Sequence, residues 1–201
     1  MYKDILVHLD GGDRDALRIG LGLGLAQRFG GRLTGLFARS EKLAPAAVAR
    51  RASPAFDQAA KLSEEQFHQA AATARVPVRW WRLAHGENGH VLHEVLVCSR
   101  FHDLTILGQH HDAKECPEEL AEHVILQSGR PVLILPSVGS FPTLATNVLM
   151  AWNGGREAAR ALHDAMPLIT GAERVEILTV RDQPGKPMAA DQVPPLSIID
   201  H

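Results

Sequence analysis

The stretch Asp4-Ile5-Leu6-Val7-His8-Leu9-Asp10-Gly11-Gly12 decides the reading of this chain. A short apolar, β-branched run closed by the turn signal Asp-Gly-Gly suits a strand buried on both faces. From Asp13 to Arg28 the pattern changes to helical period. Leu17, Leu21 and Leu25 recur at i, i+4 and i+8, and Gly30-Gly31 form the stop. Leu33-Thr34-Gly35-Leu36-Phe37 then reads as a second strand. Strand, helix and strand within about 35 residues make a βαβ unit, whose crossover is right-handed.

Working outward, Glu41 to Pro54 is rich in Ala, Arg and Pro and reads as an irregular connection. Good helix formers fill 55–74. Val76 to Leu83 is the third strand, with Pro77 near its start, where the missing N–H is tolerated. His90 to Phe101 carries Val91, Leu92, Val95 and Leu96 on one helical face, and Leu104-Thr105-Ile106-Leu107-Gly108 is the fourth strand. Pro117 is placed for the first turn of a helix running to Gln127, and Val132 to Leu135, fenced by prolines, is the fifth strand. Five strands alternating with four helices predict an α/β, Rossmann-like, doubly wound parallel sheet.

The opening block also repeats. Ile5 to Gly12 aligns with Val148-Leu149-Met150-Ala151-Trp152-Asn153-Gly154-Gly155, displaced by 143 positions. Each block is followed by a helical run, a glycine and a second strand, 31–37 in one case and 171–180 in the other. With the sequence ending at residue 201, the expectation is a complete domain over 1–140. A partial second repeat, β-α-β, would follow over 141–201, its tail from Arg181 to His201 irregular and proline-rich.

Composition bounds the function. With 45% hydrophobic and 22% charged residues, the chain is an ordinary globular one. A formal charge of −2 offers no basic field for nucleic acid or anionic lipid. No apolar run reaches the roughly 20 residues of a membrane span. The start MYKDILVHLD lacks a signal-peptide pattern, and two cysteines make no disulfide framework. The expected location is cytoplasmic.

The opening ILVHLDGG, the helix end FGGRLT, the LTILGQ strand and the terminal GRPVLIL resemble the universal stress proteins. The segment 148–162, VLMAWNGGREAARAL, is similar to the start of the second domain in tandem members. The resemblance covers residues 3–136 as a domain and about 146–180 as part of one. It implies strand order 3-2-1-4-5, dimeric or tandem pairing and a role in stress responses.

In ATP-binding members of that family an acidic residue ends strand one. A G-x-x-G loop follows strand four, and Gly-Ser or Gly-Thr opens the last helix, so that backbone N–H groups cradle phosphates. On that pattern the nucleotide-binding positions here are Asp10, Gly108 and His111, the last standing where the second glycine belongs. The Gly-Ser pair falls on Glu118-Glu119, expected in the first helical turn. Like charges 4 Å apart repel by about 4 kcal/mol at an effective dielectric of about 20. Micromolar binding totals only about −8 kcal/mol. The site is therefore expected to be degenerate. Asp10 equally suits turn formation or N-capping.

Other features are weaker. Gly20, Gly22 and Gly24 lie inside the first helix, so they are no dinucleotide fingerprint and read as close-packing positions. Among eleven histidines, His85, His90, His93, His110 and His111 could converge at the sheet's carboxyl edge, but no metal-ligand spacing is present and no metal is expected. Cys98 reads as core and Cys116 as an exposed loop thiol. Trp80 and Trp81 fall on opposite faces of a strand. No serine, histidine and acid have triad spacing, so no catalytic residue is assigned.

The expected function is non-enzymatic, by binding or assembly, with no cofactor, as a homodimer or a pseudo-dimer through the partial repeat, and with at most a weak nucleotide ligand. The alternative is an ATP-binding switch or slow ATP hydrolase using Asp10 and the loop after Gly108.

Overall fold

The structure, a computed structural model, describes residues 1–41, 51–110, 115–141 and 144–179. It divides into two units, Met1–Ser140 and Phe141–His201. His111, Val180 and the 181–201 tail lie outside the described residues, as does most of the 41–54 connection.

The first unit runs β1 (Asp4–Leu9), α1 (Asp15–Phe29), β2 (Arg32–Phe37), α2 (Pro54–Ala74), β3 (Val78–Arg82), α3 (Asn88–Arg100), β4 (Leu104–Gly108), α4 (Leu120–Gln127) and β5 (Val132–Leu135). The strands form one parallel sheet in the order 3-2-1-4-5, the expected arrangement. Its centre is the core: Ile5, Leu6, Val7, Leu9, Leu33 and Ile106 are fully buried. That explains why β1 and β4 read as continuous apolar runs rather than alternating ones.

Local chemistry sets the helix ends. Gly30 takes the left-handed conformation (φ 56°) that closes α1. Ser53 Oγ accepts the N–H of Phe56 at 3.0 Å, with Pro54 in the first turn of α2. The buried residues of α1 are Asp15, Arg18, Ile19, Gly22, Leu23, Leu25, Ala26 and Phe29; of the expected stripe Leu25 is buried, whereas Leu17 and Leu21 are only half-buried. Gly22 is the reason: it seats the helix on Leu33, and a Cβ there would stand 2.8 Å from Leu33 Cδ1. Gly20 and Gly24 have open space around them, so close packing holds at one of the three glycines.

Two further boundaries differ from the sequence reading. β3 is shorter than 76–83, and α4 begins at Leu120 rather than near Pro117. Leu120 donates its N–H to the Pro117 carbonyl in a turn, so Glu118 and Glu119 precede the helix instead of filling its first turn. On β3, Trp80 packs near Phe37 and Phe67, while Trp81 stays half-exposed beside His102.

The second unit holds β6 (Asn147–Ala151), α5 (Arg156–Ile169) and β7 (Arg174–Leu178), with β6 and β7 paired in parallel. Its opening turn has the same geometry as that of the first unit. Asn153 Oδ1 accepts the Gly155 N–H at 2.8 Å, as Asp10 Oδ1 accepts the Gly12 N–H at 2.9 Å. The glycine between has φ 77° in one turn and 78° in the other. These are Asx turns, in which the side chain closes its own loop two residues on.

Candidate functional site

Parallel sheets bind ligands beyond the carboxyl ends of their strands, where the strand order reverses. Here that point lies between β1 and β4, and a cavity of about 200 Å³ opens there. Asp10 and Gly108 reach it from the two strand ends, and Arg14, Cys116, Glu118 and Ser137 complete much of its wall.

Asp10 is wrapped in donors. Its Oδ1 accepts from Gly12 N–H and, at 2.7 Å, from Arg18 Nη2; its Oδ2 accepts the Cys116 S–H at 3.3 Å. Arg18 also pairs with Asp15 through the same Nη2. Asp15 Oδ2 in turn accepts from Gly11 N–H at 2.9 Å and from the Ser63 hydroxyl of α2 at 3.2 Å. The Arg18 side chain is only 5% exposed, Asp10 13% and Asp15 2%. Two carboxylates thus share one guanidinium in a largely dry setting, where Coulomb attraction is several-fold stronger than in water.

The charge states follow from that geometry. Burial alone would raise the Asp10 carboxyl, but the Arg18 charge, helped by the Arg18 and Gly12 hydrogen bonds, holds it well below the usual carboxylate range. For Asp15, burial and the neighbouring Asp10 charge prevail over Arg18 and push it up. Burial, then the Asp10 charge, drive the Cys116 thiol far above its ordinary value. Burial lowers His8 to about 4, and its Nε2–H donates to the Ala38 carbonyl at 2.7 Å. A neutral imidazole beside a protonated thiol is not an activated nucleophile pair.

Gly108 has a structural explanation. A Cβ at that position would collide with Arg18 Nη1, so glycine is required for the guanidinium to reach Asp10. Arg14, the second guanidinium on the wall, donates to the carbonyls of Gly139 and Pro136, each at 2.9 Å. Of the two acids expected at the phosphates, Glu118 lines the cavity and Glu119 does not.

Cys116 is the main correction to the sequence reading. It is half-buried against Asp10 rather than an exposed loop thiol. Its loop is pinned to the end of β2, where Ser40 donates its N–H to the Glu115 carbonyl at 2.7 Å. The histidines singled out in the sequence do not converge here. His85 and His90 stack on each other at 4.2 Å, His93 is exposed, and among the described ones only His110 lines the cavity. Among the described residues, the group able to offer three metal-ligating atoms is instead His8, Asp10 and Cys116. No spacing signal marks it, because Cys116 lies 106 positions from Asp10 and 108 from His8.

No protein-family model matches the sequence, and no curated protein does. Among solved structures, a universal stress protein from Archaeoglobus fulgidus DSM 4304 is similar with a TM-score of 0.64 at 18% identity, over 91% of this chain and 68% of its own. A functionally unknown protein from Pseudomonas aeruginosa PAO1 is similar with a TM-score of 0.52 at 15% identity, over 89% of this chain and 60% of its own. A universal stress protein from Archaeoglobus fulgidus in complex with dAMP gives a TM-score of 0.48 at 15% identity, over 66% of this chain. The fold implied by the sequence resemblance is therefore the fold of this chain, the universal stress protein fold.

Proposed function

We propose that this chain, which carries the universal stress protein fold, is a member of that family acting by binding or assembly rather than by turnover, with a degenerate nucleotide site. The observation that supports this reading is the charge on the cavity wall. Among the described residues on that wall, the carboxylates are Asp10, Asp13, Glu115 and Glu118 and the guanidiniums are Arg14 and Arg18. Both guanidiniums are already engaged by the protein's own oxygens, and Glu115 pairs with Arg39 at 3.8 Å. Among the described residues, a triphosphate entering there meets four carboxylates and two guanidiniums that are both already committed. Each close repulsion of about 4 kcal/mol is large against the roughly −8 kcal/mol of a micromolar complex. The protonated thiol and neutral imidazole beside Asp10 add no hydrolytic group.

The second reading is an ATP-binding switch or slow hydrolase. It draws on the position of the cavity at the strand-order reversal, with Asp10 and Gly108 on its wall. Calorimetric titration with Mg-ATP separates the two. The expected dissociation constant is weaker than about 100 μM, roughly −5.5 kcal/mol. A low-micromolar constant would overturn the first reading in favour of the second.

Assembly belongs to the same proposal. Residues 141–201 would be a partial second repeat pairing with a second copy or within the chain. Leu149 and Leu178 on its paired strands are 63% and 46% exposed, apolar surface suited to an interface. Native mass spectrometry of the chain, expected to show a dimer or a compact pseudo-dimeric monomer, reads this directly. A cytoplasmic setting is part of the proposal. Among the described residues no helix is long and apolar enough to cross a membrane.

A further inference from the structure

We propose that His8, Asp10 and Cys116 form a binding site for one divalent transition-metal ion of the zinc class on the floor of the cavity. The argument begins with donor type. Imidazole nitrogen, carboxylate oxygen and thiolate sulfur are the three zinc ligands proteins use, and three protein ligands plus an open fourth position is a recurrent arrangement. Here one of each meets, with the candidate ligand atoms all within 4.8 Å of one another.

The two separations from Cys116 bracket tetrahedral ligation. Metal bonds of about 2.3 Å to sulfur and about 2.1 Å to nitrogen or oxygen place two ligand atoms about 3.6 Å apart at a tetrahedral angle. Cys116 Sγ lies 3.3 Å from Asp10 Oδ2 and 3.9 Å from His8 Nε2, on either side of that value.

The surroundings divide the labour. Asp10 Oδ1 is committed to Gly12 and Arg18, which fixes the carboxylate and leaves Oδ2 turned to the thiol. The ring of His8 is held by its Nε2–H on the Ala38 carbonyl. Ligation through Nε2 breaks that hydrogen bond, the proton passing by way of solvent to Nδ1 and the carbonyl moving aside, so that the neutral ring offers its Nε2 lone pair to the metal. The Cys116 thiol gives up its proton to solvent as the metal–sulfur bond forms. Thiolate and divalent ion together add one positive charge beside two carboxylates that share a single guanidinium. All three residues line the cavity, which supplies both an entry path and the fourth position for water.

The test uses the whole chain, dialysed against chelator, titrated with Co²⁺ as a spectroscopic probe and then with Zn²⁺ in competition, with no nucleotide present. The expected result is one equivalent of Co²⁺ with a thiolate-to-cobalt charge-transfer band, displaced by Zn²⁺. The band is expected to survive in Cys98→Ala and to vanish in Cys116→Ser. Binding is expected to weaken about tenfold or more in Asp10→Asn. No charge-transfer band in the unaltered chain, or an unchanged band in Cys116→Ser, overturns the proposal. Should Cys116→Ser fail to fold by circular dichroism, alkylation of the unaltered chain decides. Zn²⁺ that protects Cys116 from iodoacetamide supports the site, and alkylation indifferent to Zn²⁺ overturns it.

Discussion

His8 is the residue whose chemistry depends most on its place in the fold. In water its imidazole would protonate near 6.5, but at the carboxyl end of the central strand burial comes first, Arg18 adds to it, and the group falls to about 4. The unfolded chain therefore binds a proton at His8 between about 4 and 6.5 that the native chain does not. Stability from this group is full above pH 6.5 and falls as pH drops toward 4, by roughly 3 kcal/mol. Asp10 contributes below that window: its native carboxyl stays ionised where the unfolded one protonates, so its contribution is present above the ordinary carboxylate range and lost as pH falls from that range through the lower native value. Urea unfolding in chelator at pH 7 and pH 4.5 is expected to show a smaller loss for His8→Gln than for the unaltered chain. Equal losses would mean that the buried imidazole does not govern this window.

Within α1, three glycines that look alike in sequence have different work. Gly22 lies on the fully buried Leu33, whereas nothing stands within 4 Å of a Cβ at Gly20 or Gly24. Replacing either exposed glycine by alanine relieves only backbone entropy, and each is expected to raise stability by about 0.5–1 kcal/mol. Gly22→Ala has the same helical gain, but its new methyl must displace a packed leucine. Overpacking of that kind costs about 1–3 kcal/mol, so a net loss is expected. Denaturant midpoints of the three variants check the contrast. Two rises and one fall is the expected pattern. Sequence alone showed that none of the glycines could serve a dinucleotide, since all lie inside the helix. It could not show which one touches the sheet, because that contact partner is set by strand pairing.

At the scale of the molecule, the first unit has all five strands of its sheet and its own buried centre, while the described residues of the second form one strand pair and one helix. Two strands and a helix rarely hold together in water without further cover. Residues 1–140 expressed alone are therefore expected to unfold cooperatively in urea, and residues 141–201 alone to show no cooperative transition. A sharp transition in the shorter fragment would give the second unit a stability of its own.

The sequence by itself determined the parallel sheet, its alternation with helices, the matched turns at Asp10 and Asn153, and one of the two acids expected beside the cavity, Glu118. These are local matters: hydrophobic periodicity and turn chemistry act over a few residues, and the family resemblance rests on runs of them. Only the tertiary structure decided the state of the site. Arg18 neutralising Asp10, Gly108 clearing the way for that guanidinium, and Cys116 meeting His8 and Asp10 all join residues far apart along the chain or on different elements. Desolvation and Coulomb attraction depend on distance and burial in space, and neither is written in spacing along the chain.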